Sequence, residues 1–154
     1  MNHPDDPSAA VDSCWTHADP ADRERFVRNV FVGETCWIWT GGLEPYGGYG
    51  RFRTANGVIA VHRWSHQATT GTTADVVRHG CDIRCCVRPD HLIGGSQADN
   101  LADLSRRGPR RGWAVDAPRR WPELAYAIRD AARNGDHRRV TELLEHPEQL
   151  TLFG

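Results

Sequence analysis

Cys81, Cys86 and His91 follow one another at equal intervals, with four residues between each pair, in a segment that Pro89 shapes into a loop. Donors of this kind, so close together, are what a tetrahedral Zn2+ site takes from a single loop, and one thiolate from a distance would close it. Cys36 is the natural fourth ligand. Five cysteines is an odd number, and three of them crowd into residues 81–86, which suits metal ligation better than a disulfide framework in a reduced compartment. Spacing alone barely separates Cys85 from its neighbour Cys86. Cys14 reads as a free thiol, and His17, His62 and His66 read as surface or packing residues. A closed zinc site would fasten a hairpin to the loop and add stability where burial is thin, since 39% of the 154 residues are hydrophobic.

The elements that must position these donors are short. A helix is expected over residues 21–32, with Asp19 or Asp22 near its start, Phe26, Val27 and Val30 on one side and Gly33 as the stop. Cys36-Trp37-Ile38-Trp39 then alternates into a glycine-rich turn, and Tyr49-Gly50-Arg51-Phe52-Arg53 is expected to pair across Asn56-Gly57 with Val58-Ile59-Ala60-Val61. A helix over 62–68 ends near Gly71, a short strand runs from Asp75 to His79, and Gly80 opens the cysteine loop. Ser96 caps a helix over 96–107, with Asp99 three residues on as in a capping box and Leu101 and Leu104 at helical spacing. Further helices are expected over 122–133 and 137–144, broken at Asn134-Gly135.

The net charge of −1 hides an asymmetry: residues 51–111 hold ten arginines against five acids, while the first 35 residues hold seven acids against three arginines. The middle is therefore the expected nucleic-acid face. No segment has the run of apolar residues that a membrane span needs, and the polar N-terminus lacks a secretion signal pattern, so the expectation is a soluble protein of the cytoplasm with no membrane partner. The chain divides into a mobile leader at 1–20, a zinc-stabilised domain at 21–107, a basic linker at 108–121, a helical segment at 122–146 and a tail at 147–154.

Several blocks together resemble the HNH endonucleases of the His-Me finger superfamily, above all their zinc-containing branch and the His-Cys box homing nucleases. They are Cys36-Trp37-Ile38-Trp39-Thr40-Gly41-Gly42, Tyr49-Gly50-Arg51-Phe52, Val61-His62-Arg63, His79-Gly80-Cys81, Cys86-Val87-Arg88-Pro89-Asp90-His91-Leu92 and Asp99-Asn100. The resemblance implies an α+β fold: a ββα-metal core with an N-terminal hairpin region, a structural zinc site and C-terminal helices. It implies a DNA endonuclease of bacterial or phage-infected host cytoplasm, with His79 as general base and Asn100 holding a catalytic Mg2+ or other divalent cation. It makes Cys36, Cys81, Cys86 and His91 the structural Zn2+ ligands, preferring Cys86 over Cys85. Many such enzymes carry an acidic metal ligand just before the catalytic His, where this chain has Arg78, so the metal site resembles the type with one protein ligand, Asp99 being a weaker second.

Such chemistry is consistent with the residue types. A neutral His can take the proton of an attacking water, and a carboxamide oxygen suits a hard cation that neutralises charge at the leaving oxygen. Arg63 is a candidate phosphate clamp, with a salt bridge inside the fold as the competing role. Arg106, Arg107, Arg110 and Arg111 are placed to follow the DNA backbone, the alternative being a solvated charge run. A non-catalytic zinc DNA-binding protein or clamp-binding adaptor on the same fold is the rival to the endonuclease. Finally, Gln149-Leu150-Thr151-Leu152-Phe153 resembles the peptide by which bacterial replication and repair proteins dock on the sliding clamp, with Gln149, Leu150, Leu152 and Phe153 as the docking residues. The alternative is a hook packed on the preceding helix.

Overall fold

A computed structural model describes residues 7–107 and 117–147. The fold is mixed α+β, built from helices and three separate two-stranded antiparallel sheets. In chain order the elements are α1 (Pro7–Asp12), α2 (Pro20–Val27), β1 (Val30–Val32), β2 (Trp37–Trp39), β3 (Arg51–Thr54), β4 (Gly57–Ala60), α3 (Val61–Thr70), β5 (Val76–His79), a 3-10 turn (Pro89–His91), β6 (Leu92–Gly95), α4 (Gln97–Arg107), α5 (Ala117–Arg133) and α6 (His137–Glu145).

Residues 7–20, expected to be mobile, are instead built into the domain. Trp15 is fully buried, and its Nε1 donates to Ser65 Oγ at 2.7 Å, which in turn donates to the Val87 carbonyl at 2.7 Å. Around it, Phe26 stacks on Trp64 with centroids 4.1 Å apart, and Trp37, Trp39 and Phe52 meet these rings edge-on or tilted. This aromatic cluster, with Val61 and Val87, is one of two cores. An indole buries more apolar area than any other side chain type in a leader so polar, and its N–H needs a partner once inside. Val11, buried in the same core, and Arg23, which donates to the Val11, Asp12 and Cys14 carbonyls, hold the segment with it.

The helix expected over 21–32 stops at Val27. Its start is as expected, with Asp19 accepting from the Ala21 and Asp22 amides and Pro20 in the first turn. Val30–Val32, however, pairs as a strand with Trp37–Trp39, in the register Val30↔Trp39 and Val32↔Trp37. β-Branched and aromatic residues gain more against a neighbouring strand than on a helix flank, and Gly33 opens the hairpin turn instead of ending a helix. The β3–β4 hairpin forms one residue earlier than expected. Ala55 and Asn56 make the turn, and Gly57, at φ +118°, pairs with Thr54. α3 ends at Gly71 in the left-handed conformation, where its amide bonds Gln67 O.

β5 and β6 pair as Val76↔Gly95 through His79↔Leu92, and α4 follows directly. The capping box forms: Ser96 N and Oγ both donate to Asp99 Oδ2 at 2.8 Å, and Asp99 N donates to Ser96 Oγ at 3.1 Å. α5 begins at Ala117, inside the stretch expected as linker, and residues 108–116 lie outside the described ones. The C-terminal helices are not a separate segment. Leu124, Ile128, Val140 and Leu143 form a second core with Ile38, Ile83, Cys85 and Cys86. Asp136 caps α6 by accepting from Arg139 N at 2.9 Å. No helix among the described residues is long and apolar enough to cross a membrane.

Candidate functional site

Cys36 immediately precedes β2, and the cysteine loop is zipped against that strand. Trp39 N donates to Cys85 O and Val87 N to Trp37 O, both at 2.8 Å, and Ile38 bridges Cys86. Arg88 pins the other side by donating from Nη1 to the Glu34 and Thr35 carbonyls. Extended backbone sends neighbouring side chains to opposite faces. Cys86 therefore joins Cys36, while Cys85 is buried in the second core. At the loop's ends, Gly80 N bonds His91 O at 2.7 Å, and His91 lies in the 3-10 turn.

The result is a Cys3His cluster of Cys36, Cys81, Cys86 and His91, whose ligand atoms all lie within 4.8 Å of one another and which could hold a metal ion. His91 Nδ1 is 3.7 Å from Cys36 Sγ and 3.6 Å from Cys86 Sγ. A tetrahedron with ordinary Zn–S and Zn–N bonds has sulfur-to-nitrogen edges of about 3.6 Å, which these two distances match. Without a cation, three crowded thiols cannot ionise together. Hydrogen bonds from Cys36 and Cys86 push the Cys81 thiol down to about 2, while the Cys36 thiol, donating to Cys81, is pushed up to about 12 and burial raises that of Cys86. A divalent ion removes this conflict, because its charge stabilises every thiolate at once. Cys14 stands apart, its Sγ bonded to Ala10 O.

His79 ends β5 and is 8% exposed. Its Nε2 lies 2.9 Å from Cys86 O. A carbonyl only accepts, so Nε2 carries the proton and Nδ1 keeps its lone pair. Burial lowers the pKa of His79, opposed by the charge of Cys81 and by this carbonyl bond. The His62 ring is centred 5.0 Å away and the Tyr49 ring 6.2 Å away, nearly parallel. Over Tyr49, at 4.9 Å, lies the guanidinium of Arg84, whose Nη1 donates to Gly47 O at 2.7 Å.

Asn100 lies on the other side of the hairpin. With Arg78, Ser96, Asp99, Asp103 and Arg106 it lines a polar cavity of about 210 Å³, and His79 is not among the lining residues. Alternation along β5 explains the separation, since Arg78 faces α4 and pairs with Asp103 while His79 faces α3. Asp99 is committed to the capping box, and its bonds to the Ser96 amide and hydroxyl hold its carboxyl below the usual range. Among the described residues, the Asn100 carboxamide is thus the α4 side-chain oxygen in that cavity with no bond to Arg78 or Ser96, its backbone amide donating to Ser96 O at 3.1 Å. Arg63 is committed as well: its Nη1 and Nη2 donate to the Asp75 and Ala74 carbonyls, both at 3.0 Å, fixing the loop before β5. Among the described residues these carbonyl bonds take the place of the salt bridge considered from sequence, and three further N–H donors of the exposed guanidinium remain. The side chain of Arg107, residues 110 and 111, and the whole Gln149–Phe153 pattern lie outside the described residues.

Two phage proteins share part of this sequence. Protein 2.8 of Escherichia phage T7 is 33% identical over 89 residues, which are 56% of this chain and 61% of that protein. Protein 7.7 of the same phage is 36% identical over 77 residues, 49% of this chain and 58% of that protein. The chain therefore spans about three fifths of the length of these curated relatives. No protein-family model and no solved structure matches it.

Sequence reasoning missed two neighbours of His79. His62 is buried with an unpartnered Nδ1, and burial first, then the charges of His79 and Arg63, lower its pKa to about 3. A signal was available: a His at the start of an amphipathic helix, next to Val61, falls on the buried face. Arg84 carried no such signal, because only the folding of the cysteine loop brings it over Tyr49.

Proposed function

We propose that this protein is a metal-dependent DNA endonuclease of the HNH type, with β5, the zinc loop, β6 and α4 as its ββα-metal core. The observation that carries the reading is the His79 Nε2 bond to the carbonyl of Cys86, itself a zinc-site residue. It fixes the tautomer in which Nδ1 can accept a proton from water, and it orients the ring through the rigid metal loop. His79 would take that proton as the water attacks phosphorus and the 3′ oxygen departs. Structural Zn2+ would be held by Cys36, Cys81, Cys86 and His91. Asn100 would hold a hydrated Mg2+ or similar cation, which when bound neutralises charge on the phosphate and leaving oxygen.

The excess of arginine over acids in residues 51–111 supports a polyanionic substrate, and the phage relatives support action in an infected cell. The tail pattern Gln149, Leu150, Leu152 and Phe153 supports recruitment to a bacterial sliding clamp. The test is cleavage of plasmid DNA by zinc-loaded protein with Mg2+, alongside His79→Ala. Wild-type cleavage abolished by EDTA and by the substitution, with duplex binding retained, is the expected result. Binding without any wild-type cleavage would favour the non-catalytic DNA-binding reading.

A further inference from the structure

The nuclease reading needs a hydrogen-bond donor as well as a base beside the scissile phosphate, whose oxygens gain negative charge as the water oxygen adds. His62 has such a donor to give. It lies in the first turn of α3 and is 8% exposed, yet its ring makes no hydrogen bond among the described residues, and its Nδ1 is buried without a partner. A buried imidazole is ordinarily satisfied, because an unpartnered polar atom lowers stability where a phenylalanine of similar shape would not. The ring is also fixed by its neighbours. Its centroid lies 5.0 Å from that of His79 and 5.2 Å from that of Tyr49, whose own ring stacks on His79 at 6.2 Å.

We propose that His62 donates a hydrogen bond to an oxygen of the DNA phosphate presented to His79. This assignment rests on the nuclease reading and adds to it a substrate-binding residue. Burial first, then the charges of His79 and Arg63, keep the imidazole neutral, so it carries one N–H and one lone pair. An enclosed lone pair is less costly to leave unpaired than an enclosed N–H, which puts the lone pair on Nδ1 and the proton on Nε2. Ring nitrogens lie about 1 Å from their centroid, so with centroids 5.0 Å apart His62 Nε2 and His79 Nδ1 are within about 7 Å of each other. A water on His79 and the phosphate that it attacks bridge that span, with hydrogen bonds of about 2.8 Å at either end. His79 then takes the proton while His62 holds an oxygen on which charge accumulates, and neither ring has to move to do so.

The test uses the full-length, zinc-loaded protein and its His62→Phe and His62→Gln variants. Zinc per chain and the urea midpoint are measured first, to establish that each is folded, with His62→Leu replacing the ring variant if that one is not. His62→Phe keeps a ring in the site and removes the donor, whereas His62→Gln returns an N–H near the place of Nε2. Plasmid cleavage is measured with Mg2+ at saturating enzyme, and binding to a short DNA duplex is followed against salt concentration. His62→Phe is expected to cut roughly 100-fold more slowly, and His62→Gln to recover part of that loss. The slope of log affinity against log salt should be the same in all three, because a neutral donor releases no counterion. A His62→Phe that cuts at the wild-type rate overturns the assignment, and so does a folded His62→Gln no faster than His62→Phe. Should His62→Gln fail to fold, the rate of the donorless variant decides alone. A slope lowered by about one in His62→Phe also overturns it, since His62 would then meet the phosphate as a cation. A wild type that cuts nothing overturns the nuclease reading. In that case duplex binding a few-fold weaker in His62→Phe, at unchanged slope, retains the phosphate contact, and equal binding overturns the contact too.

Discussion

The two cores of this protein are assembled by different forces. Around Trp15, Phe26, Trp64 and Phe52 the chain is held by aromatic area, with one indole N–H passed through Ser65 to the Val87 carbonyl. Around Cys36, Cys81, Cys86 and His91 the apolar side chains are smaller, and the four donors converge at distances that suit a metal ion. The difference bears on function. Close packing tolerates small adjustments of each ring, whereas metal bonds fix a few atoms to within tenths of an ångström. His79 takes its orientation from the second kind of region, through the carbonyl of Cys86.

Removing a member of the Cys3His cluster should have the largest effect. Structural zinc contributes an apparent binding energy of about 10–16 kcal/mol at pH 7 in small zinc domains, more than the whole stability of most domains this size. Cys86→Ser is expected to abolish stoichiometric zinc and to unfold or aggregate the protein, while Cys14→Ser keeps one zinc per chain and wild-type stability. Metal analysis with urea denaturation reads both. Full zinc and an unshifted midpoint in Cys86→Ser would mean that the cluster is a set of buried thiols.

The corresponding change in the aromatic core should be smaller and leave the metal alone. Phe26→Ala removes a fully buried ring that touches Trp15, Trp39, Phe52 and Trp64, and truncations of this kind cost about 3–5 kcal/mol. The midpoint should fall while zinc stays at one per chain. Loss of zinc together with the ring would show that the two cores fold as one unit.

Legibility from sequence followed the same division. The Cys3His cluster was readable because three of its members sit in one loop, so spacing almost fixes their geometry, and Cys36 immediately precedes the strand that the loop joins. Spacing barely separated Cys85 from Cys86 and the resemblance preferred Cys86, a choice whose physical reason is the alternation of a strand-like segment that no periodicity marks. The capping box at Ser96 and Asp99 was readable because it is local. Trp15 was not, since its partners Ser65 and Phe26 are remote or on another element and its flanks are polar. β1 was misread as helix because a three-residue strand carries too little pattern against a helix that really does begin at Pro20. Arg63 and Arg84 show the limit for the site itself. Sequence named Arg63 as a phosphate binder and passed over Arg84, and only the fold shows Arg63 bonded to the Ala74 and Asp75 carbonyls and Arg84 lying over Tyr49.

His62 lies where the two regions meet, and it gives the smallest and most particular prediction. It starts α3, beside the aromatic core, and its ring faces His79 and Tyr49, with Arg63 next to it in sequence. Burial and the neighbouring positive charges hold its pKa at about 3 against 6.5 in the unfolded chain. The native state therefore refuses a proton that the unfolded state binds below pH 6.5. Its contribution to stability is fully present above pH 6.5 and is lost as pH falls toward 3, with a slope of at most about 1.4 kcal/mol per pH unit. His62→Phe removes both this titration and an unpartnered buried nitrogen, so it should be neutral or slightly stabilising at pH 7.5 and gain on the wild type as pH drops to 5. The zinc ligands titrate in both proteins, so the difference between the two urea-denaturation curves isolates His62. Curves that run parallel from pH 7.5 to 5 would mean that His62 is protonated in the folded protein and that its place beside His79 is open to solvent.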